Sequence, residues 1–117
     1  MTAFSAIQSA LGGMEIPVKP STYRGEEEKY ITYNYANDVG ADFGDDTPGC
    51  DLTSVQVHYY MPIVNSKGKH ENFLTIKKEI RTALHEAGFT YPQVTVLEEQ
   101  ETNTWHLIFE CEFVEDF

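Results

Sequence analysis

Apolar residues recur at three- and four-residue steps through residues 72–88 (NFLTIKKEIRTALHEAG), where Phe73, Ile76, Ile80, Ala83, Leu84 and Ala87 fall on one stripe. The spacing predicts the one long helix of the chain. Asn72 is placed to cap its N-terminus, and Gly88 to end it in a left-handed conformation. Lys77, Lys78, Glu79, Arg81 and Glu86 fall on the other side as a solvated face. A shorter helix is predicted over residues 2–11, with Thr2 as its cap, Phe4, Ile7 and Leu11 on one face, and Gly12-Gly13 as its stop.

Elsewhere the period is two. Residues 29–37 alternate, with Ile31, Tyr33 and Tyr35 on one side and Tyr30, Thr32 and Asn34 on the other. Residues 51–63 place Val55, Val57, Tyr59 and Met61 opposite Ser54, Gln56, His58 and Tyr60. Residues 94–97 and 105–113 predict a hairpin turning near residues 101–104, with Trp105, Leu107, Phe109, Cys111 and Phe113 on its apolar side. Residues 14–20 hold two prolines and read as an extended edge segment, with a small extra strand near Ile16. Residues 38–50 (DVGADFGDDTPGC) carry three glycines, a proline and four aspartates, and read as a projecting acidic loop. The expected fold is α+β, an antiparallel or mixed sheet of about four strands packed against one long helix, in the order α-β-β-α-β-β. Residues 1–117 are expected to form a single domain, with the loop at about 38–50 standing out from it.

Composition narrows the function classes. Nineteen acidic residues against eight basic ones give a net charge of −11, and no Lys or Arg follows Arg81. Binding to nucleic acid through phosphates needs clustered Lys and Arg, which this chain lacks. The acidity reads either as solubility or as the lining of a surface past which DNA moves without adhering. No run of apolar residues is long enough to span a bilayer, and residues 1–11 lack the pattern of a signal peptide, so a soluble protein made in a cytoplasm is expected. Cys50 and Cys111 read as reduced thiols, Cys111 on a core face and Cys50 at a loop–strand junction where it can be exposed.

Candidate chemistry is sparse. His58, His70, His85 and His106 show no metal-binding spacing, although His58 and His106 lie on the polar faces of their strands and can be neighbours across the sheet. Asp42, Asp45 and Asp46 lack the alternation and closing Glu of a calcium loop. No nucleophile, phosphate-loop or dinucleotide motif is present, so neither an enzyme nor a cofactor is expected. The tyrosines of these strands cannot all point into one core, because adjacent residues face opposite sides, so Tyr30 or Tyr60 is left on the face away from the long helix. Tyrosine there points to a protein interface or to a second covered face.

Taken together, the extended IPVKPSTYRGEEEKYITYNY segment, the acidic loop, the LTSVQVHYYMPI strand, the helix ENFLTIKKEIRTALHEAGF and the closing WHLIFECEFVE hairpin resemble the small tail-completion and tail-terminator proteins of phages and prophages. The similarity covers nearly the whole chain and lies in layout. It implies a non-enzymatic virion protein, made in a bacterial cytoplasm, that forms a ring, commonly hexameric in that family, at the head-proximal end of the tail. The implied partners are further copies of itself, the tail tube protein and the head connector or neck proteins, with DNA only passing through the lumen. The loop and the sheet edges become the expected contacts, which with the two tyrosines makes Tyr30, Asp42, Phe43, Asp45, Asp46 and Tyr60 the candidate interface residues. The competing expectation is a small monomeric or dimeric adapter that binds a peptide or ligand on the polar-aromatic sheet face.

Overall fold

The computed structural model describes residues 1–44 and 47–116, and the side chains of all of these except 41–44, 47, 48 and 116. Helix α1 (Ala3–Leu11) starts in a capping box, in which the Thr2 and Ser5 side chains each bond the other's backbone N–H. Strand β1 (Val18–Pro20) follows, then β2 (Tyr30–Gly44), β3 (Thr47–Pro62), helix α2 (Leu74–Glu86), β4 (Gln93–Glu99), a single 3-10 turn and β5 (Thr104–Asp116). The five strands form one mixed sheet in the order β1-β2-β3-β5-β4, with β1 parallel to β2 and the other pairs antiparallel.

The α+β expectation holds, with three corrections. Among the described residues the sheet has five strands, because residues 18–20 pair with Ile31, Thr32 and Tyr33. Among the described residues two helices, not one, cover it: Ala3, Ala6, Ile7 and Leu11 of α1 are as fully buried as Ile80 and Leu84 of α2. Both pack into one core with Ile31, Val57, Leu107 and Phe109 from the same face of the sheet. Gln8 fastens α1 to that face by donating to the Tyr33 hydroxyl at 2.6 Å and to the Val18 carbonyl at 3.1 Å.

The third correction is the largest. Where a loop is expected at 38–50, β2 and β3 continue as a paired ladder to Gly44↔Thr47, and β5 runs beside them to Cys50↔Asp116. Strands rise about 3.3 Å per residue, so a hairpin of this length is close to 50 Å long. It sets the long axis of a molecule measuring 60 × 24 × 23 Å. A register shift between Tyr35 and Asn37 inserts Ala36 as a bulge, at the point where the hairpin leaves the helix-covered body as an arm.

The long helix forms where its stripe predicts. Ile80 and Leu84 are buried, and Phe73, Ile76, Ala83 and Ala87 pack against the core around them. Phe73 occupies the cap position, one residue later than expected, but the Asn72 carboxamide still accepts from the Leu74 N–H at 2.8 Å. Gly88 follows with φ +108°. Arg81 departs from the expected solvated face: it donates twice to the Pro92 carbonyl, at 3.0 and 2.8 Å, and its guanidinium lies 4.4 Å from the centre of the Tyr91 ring. It thereby ties α2 to the segment entering β4.

Candidate interaction surface

With both helices on one side, the opposite sheet face is open, and cross-strand register arranges its side chains in rows. One row runs Tyr30, Tyr60, His106, Leu97 across β2, β3, β5 and β4. The next runs Thr32, His58, Ile108, Thr95, and a third Asn34, Gln56, Glu110, Gln93. In the first row the rings stack: Tyr30 on Tyr60 at 4.6 Å, Tyr60 on His106 at 4.3 Å, with Tyr23 closing the outer end at 4.8 Å from Tyr30. Because the rings face each other, they offer mainly edges outward and shield one another's faces. Desolvation raises the Tyr30 and Tyr60 phenols, and nearby Glu99 adds to this in each, so both stay protonated.

His58 and His106 are neighbours across the sheet, as their strand faces predict. His58 Nδ1 lies 2.8 Å from His106 Nε2, and His58 Nε2 lies 3.0 Å from the Asn34 side-chain oxygen. The amide nitrogen of Asn34 donates to the Tyr35 carbonyl at 3.2 Å, which leaves its oxygen for the imidazole. His58 must then donate from Nε2 and accept at Nδ1, so His106 donates from Nε2. His106 Nδ1 is left facing Glu99 Oε2 at 3.4 Å, a contact that is attractive when that imidazole is charged. Burial lowers the His58 pKa, the adjoining His106 lowers it further, and Glu110 opposes them. Two imidazoles and one carboxylate on opposite sides of a ring do not converge on a point, and among the described residues no group of three His, Cys, Asp or Glu is arranged to hold a metal ion.

On the arm the open face changes character. Val39, Leu52 and Val114 form a cross-strand apolar row, and Val39 and Val114 are 53% and 52% exposed. On the arm's other face, at its root, Glu115 gathers three donors: the Ala3 N–H at the start of α1, the Tyr35 hydroxyl at 3.0 Å and the Thr53 hydroxyl at 3.0 Å. Burial pushes this carboxyl up, but the three hydrogen bonds outweigh it and hold it below the usual carboxylate range. Phe4 stacks on Tyr35 at 4.3 Å beside this node, which anchors both the first helix and the arm. Nothing in the sequence marks Glu115, since its partners come from three distant segments.

Of the candidate interface residues, Tyr30 and Tyr60 are brought together, half-buried, at the centre of the aromatic row. Asp42 and Phe43 lie on the far part of β2, where Phe43 is opposite Pro48. Their side chains, and Asp45 and Asp46 altogether, lie outside the described residues. Cys50, placed where it can be exposed, is 5% exposed. Cys111 is equally buried, and burial, with a smaller contribution from Glu112, pushes its thiol up to about 12.

No protein-family model matches the chain, and no curated protein does. Among solved structures it is similar to a chain of the "Virion of native gene transfer agent (GTA) particle", with a TM-score of 0.59 and 9% identity, over 97% of this chain and 93% of that one. The likeness establishes the fold. It spans nearly the whole of both chains.

Proposed function

We propose that this protein is a non-enzymatic structural subunit of a phage-like virion, and within it a tail-completion or tail-terminator subunit. In this reading it closes into a ring at the head-proximal end of the tail and joins the tail tube to the head connector. The observation that carries the proposal is the near full-length fold correspondence with a chain of a gene transfer agent virion. The arm gives that reading a physical role, because a ribbon with Val39 and Val114 exposed at its root has apolar surface to bury against neighbours. The acidic residues of the open face, Glu110 and Glu112, together with Glu98, Glu99 and Glu101 at one end of β4, suit a wall that DNA passes without adhering.

The alternative, an adapter binding a ligand on its sheet face, needs a concave, mostly apolar site there. The stacked rings instead cover one another. The depressions bordering that face hold about 280 Å³ beside Ser54, Gln93 and Glu110, and about 230 Å³ beside Glu28, Tyr30 and Asn103. Both have chiefly polar borders, which favours the ring.

Native mass by light scattering, over a range of protein concentration and salt, tests the ring. A subunit of charge −11 repels its copies, and salt screens that repulsion. A closed multimer near the hexameric mass, growing with salt, is the expected result; a monomer under every condition overturns the ring. Deleting residues 40–47 shortens the arm at its tip and is expected to impair assembly while leaving the circular dichroism of the body intact. Unchanged ring formation by that variant would remove the arm from the interface.

A further inference from the structure

The sheet has two edges that are unlike each other, and they fit. β1 covers β2 only at Ile31, Thr32 and Tyr33. From residue 35 onward the outer edge of β2 has no strand beside it among the described residues, and the same holds for the outer edge of β4 along its whole length. Exposed strand edges in isolated proteins are normally shortened, charged or broken by proline. β1 follows that rule, with three residues ending in Pro20. β4 does not: residues 93–97 (QVTVL) carry no charge and no proline, and Val96 and Leu97 are 37% and 40% exposed on opposite faces. The arm edge, residues 37–41 (NDVGA), carries one charge and the exposed Val39.

Resting on the ring reading, we infer that residues 93–97 of one copy pair with residues 37–41 of the next, in antiparallel sense, and so continue the sheet from subunit to subunit. Placing Thr95 opposite Val39 sets Leu97 opposite Asn37 and Val96 opposite Asp38. Thr95 and Leu97 share the open face with Ile108 and His106, and Asn37 and Val39 share it with Ser54 and Leu52, so every side chain stays on its own face. The charges choose the direction. In the antiparallel sense Asp38 meets neutral Val96, and Glu98 and Glu99 fall beside the bulge at Ala36 and Tyr35. The parallel sense would instead set Glu98 opposite Asp42, and like charges directly opposite are unfavourable.

The occupant is a second copy for a further reason. A strand edge of five residues buries far less than the roughly 1,000 Å² that a stable two-body interface needs. Because the two edges differ, the contact is heterologous, and each copy makes it twice when the array closes. Open pairs are therefore weak and closed rings are favoured, with the apolar row of the arm adding contact.

Cysteine trapping in the full chain tests the pairing. The two edges lie on opposite sides of the sheet, so a chain carrying both Thr95→Cys and Val39→Cys cannot bridge within itself. Under mild oxidation at raised salt, it is expected to give a ladder of cross-linked species up to the ring. Mixing the two single variants should give only the mixed dimer. The unsubstituted chain, with Cys50 and Cys111 buried, sets the background. Efficient dimers from Thr95→Cys alone would show β4 pairing with itself and overturn the inference. A multimer by light scattering without cross-links overturns the edge pairing and leaves the ring reading standing. A monomer without cross-links overturns both, and cross-linked chains that never close leave the pairing and remove the ring.

Discussion

His58 and His106 stand 48 positions apart in the chain and share a hydrogen bond of 2.8 Å, held in one direction by the oxygen of Asn34. Charging His58 would put a proton on the nitrogen that accepts from His106, so the folded state resists it.

That resistance makes stability depend on pH. The folded pKa of His58 lies below the ordinary 6.5, so the unfolded chain takes up a proton that the folded one refuses. Its contribution is fully present above that ordinary value and is lost as the pH falls through the lower folded value. Melting temperature should therefore decline on acidification from about pH 7.5 to about pH 5, with a shallower slope in His58→Gln. An equal slope in the variant would assign the effect to other groups.

Glu115 has the same sign in a lower window. Its carboxyl is held below the usual range, so the stability it supplies is present above the ordinary carboxylate value and lost as pH falls through the depressed one. Glu115→Gln should lower stability at neutral pH and converge with the parent in acid. Amide exchange should quicken at Ala3 and the first turn of α1, because that N–H loses its acceptor. Unchanged exchange there would show that the capping box alone holds the helix end.

Gly88 occupies φ +108°, and a Cβ built on it would lie 3.3 Å from Cε1 of Phe113. Gly88→Ala is expected to cost about 1–3 kcal/mol in denaturant unfolding, mostly from the backbone. A neutral result would mean that the α2–β4 connection relaxes into another turn.

Phe109 and Val114 are near neighbours on β5 with opposite expectations. Phe109 is fully buried in the core, and Phe109→Ala should cost about 3–5 kcal/mol. Val114 is 52% exposed on the arm, and Val114→Asp should change monomer stability by no more than about 0.5 kcal/mol while reducing the multimer fraction. Urea unfolding at low concentration, set beside light scattering at high concentration, separates the two effects.

What the sequence by itself determined is local. The stripe of α2, the Thr2 cap of α1, the left-handed Gly88 and the alternation of the strands follow from periods and caps that each segment carries alone. The sides of the sheet followed too, since alternation separates Tyr30, His58, Tyr60 and His106 from the core. Only the tertiary structure decided what distant segments do to one another. Residues 38–50 read as a loop because glycine, aspartate and proline are poor strand formers, yet β2 and β3 pair through 38–44 and 47–50, with β5 beside them as far as Cys50, and the ladder outweighs weak local preference. The burial of Cys50, the Arg81 clasp on Pro92 and the three donors of Glu115 share that origin. Each depends on register between strands or helices far apart in sequence, and register is set by the packing of the whole core.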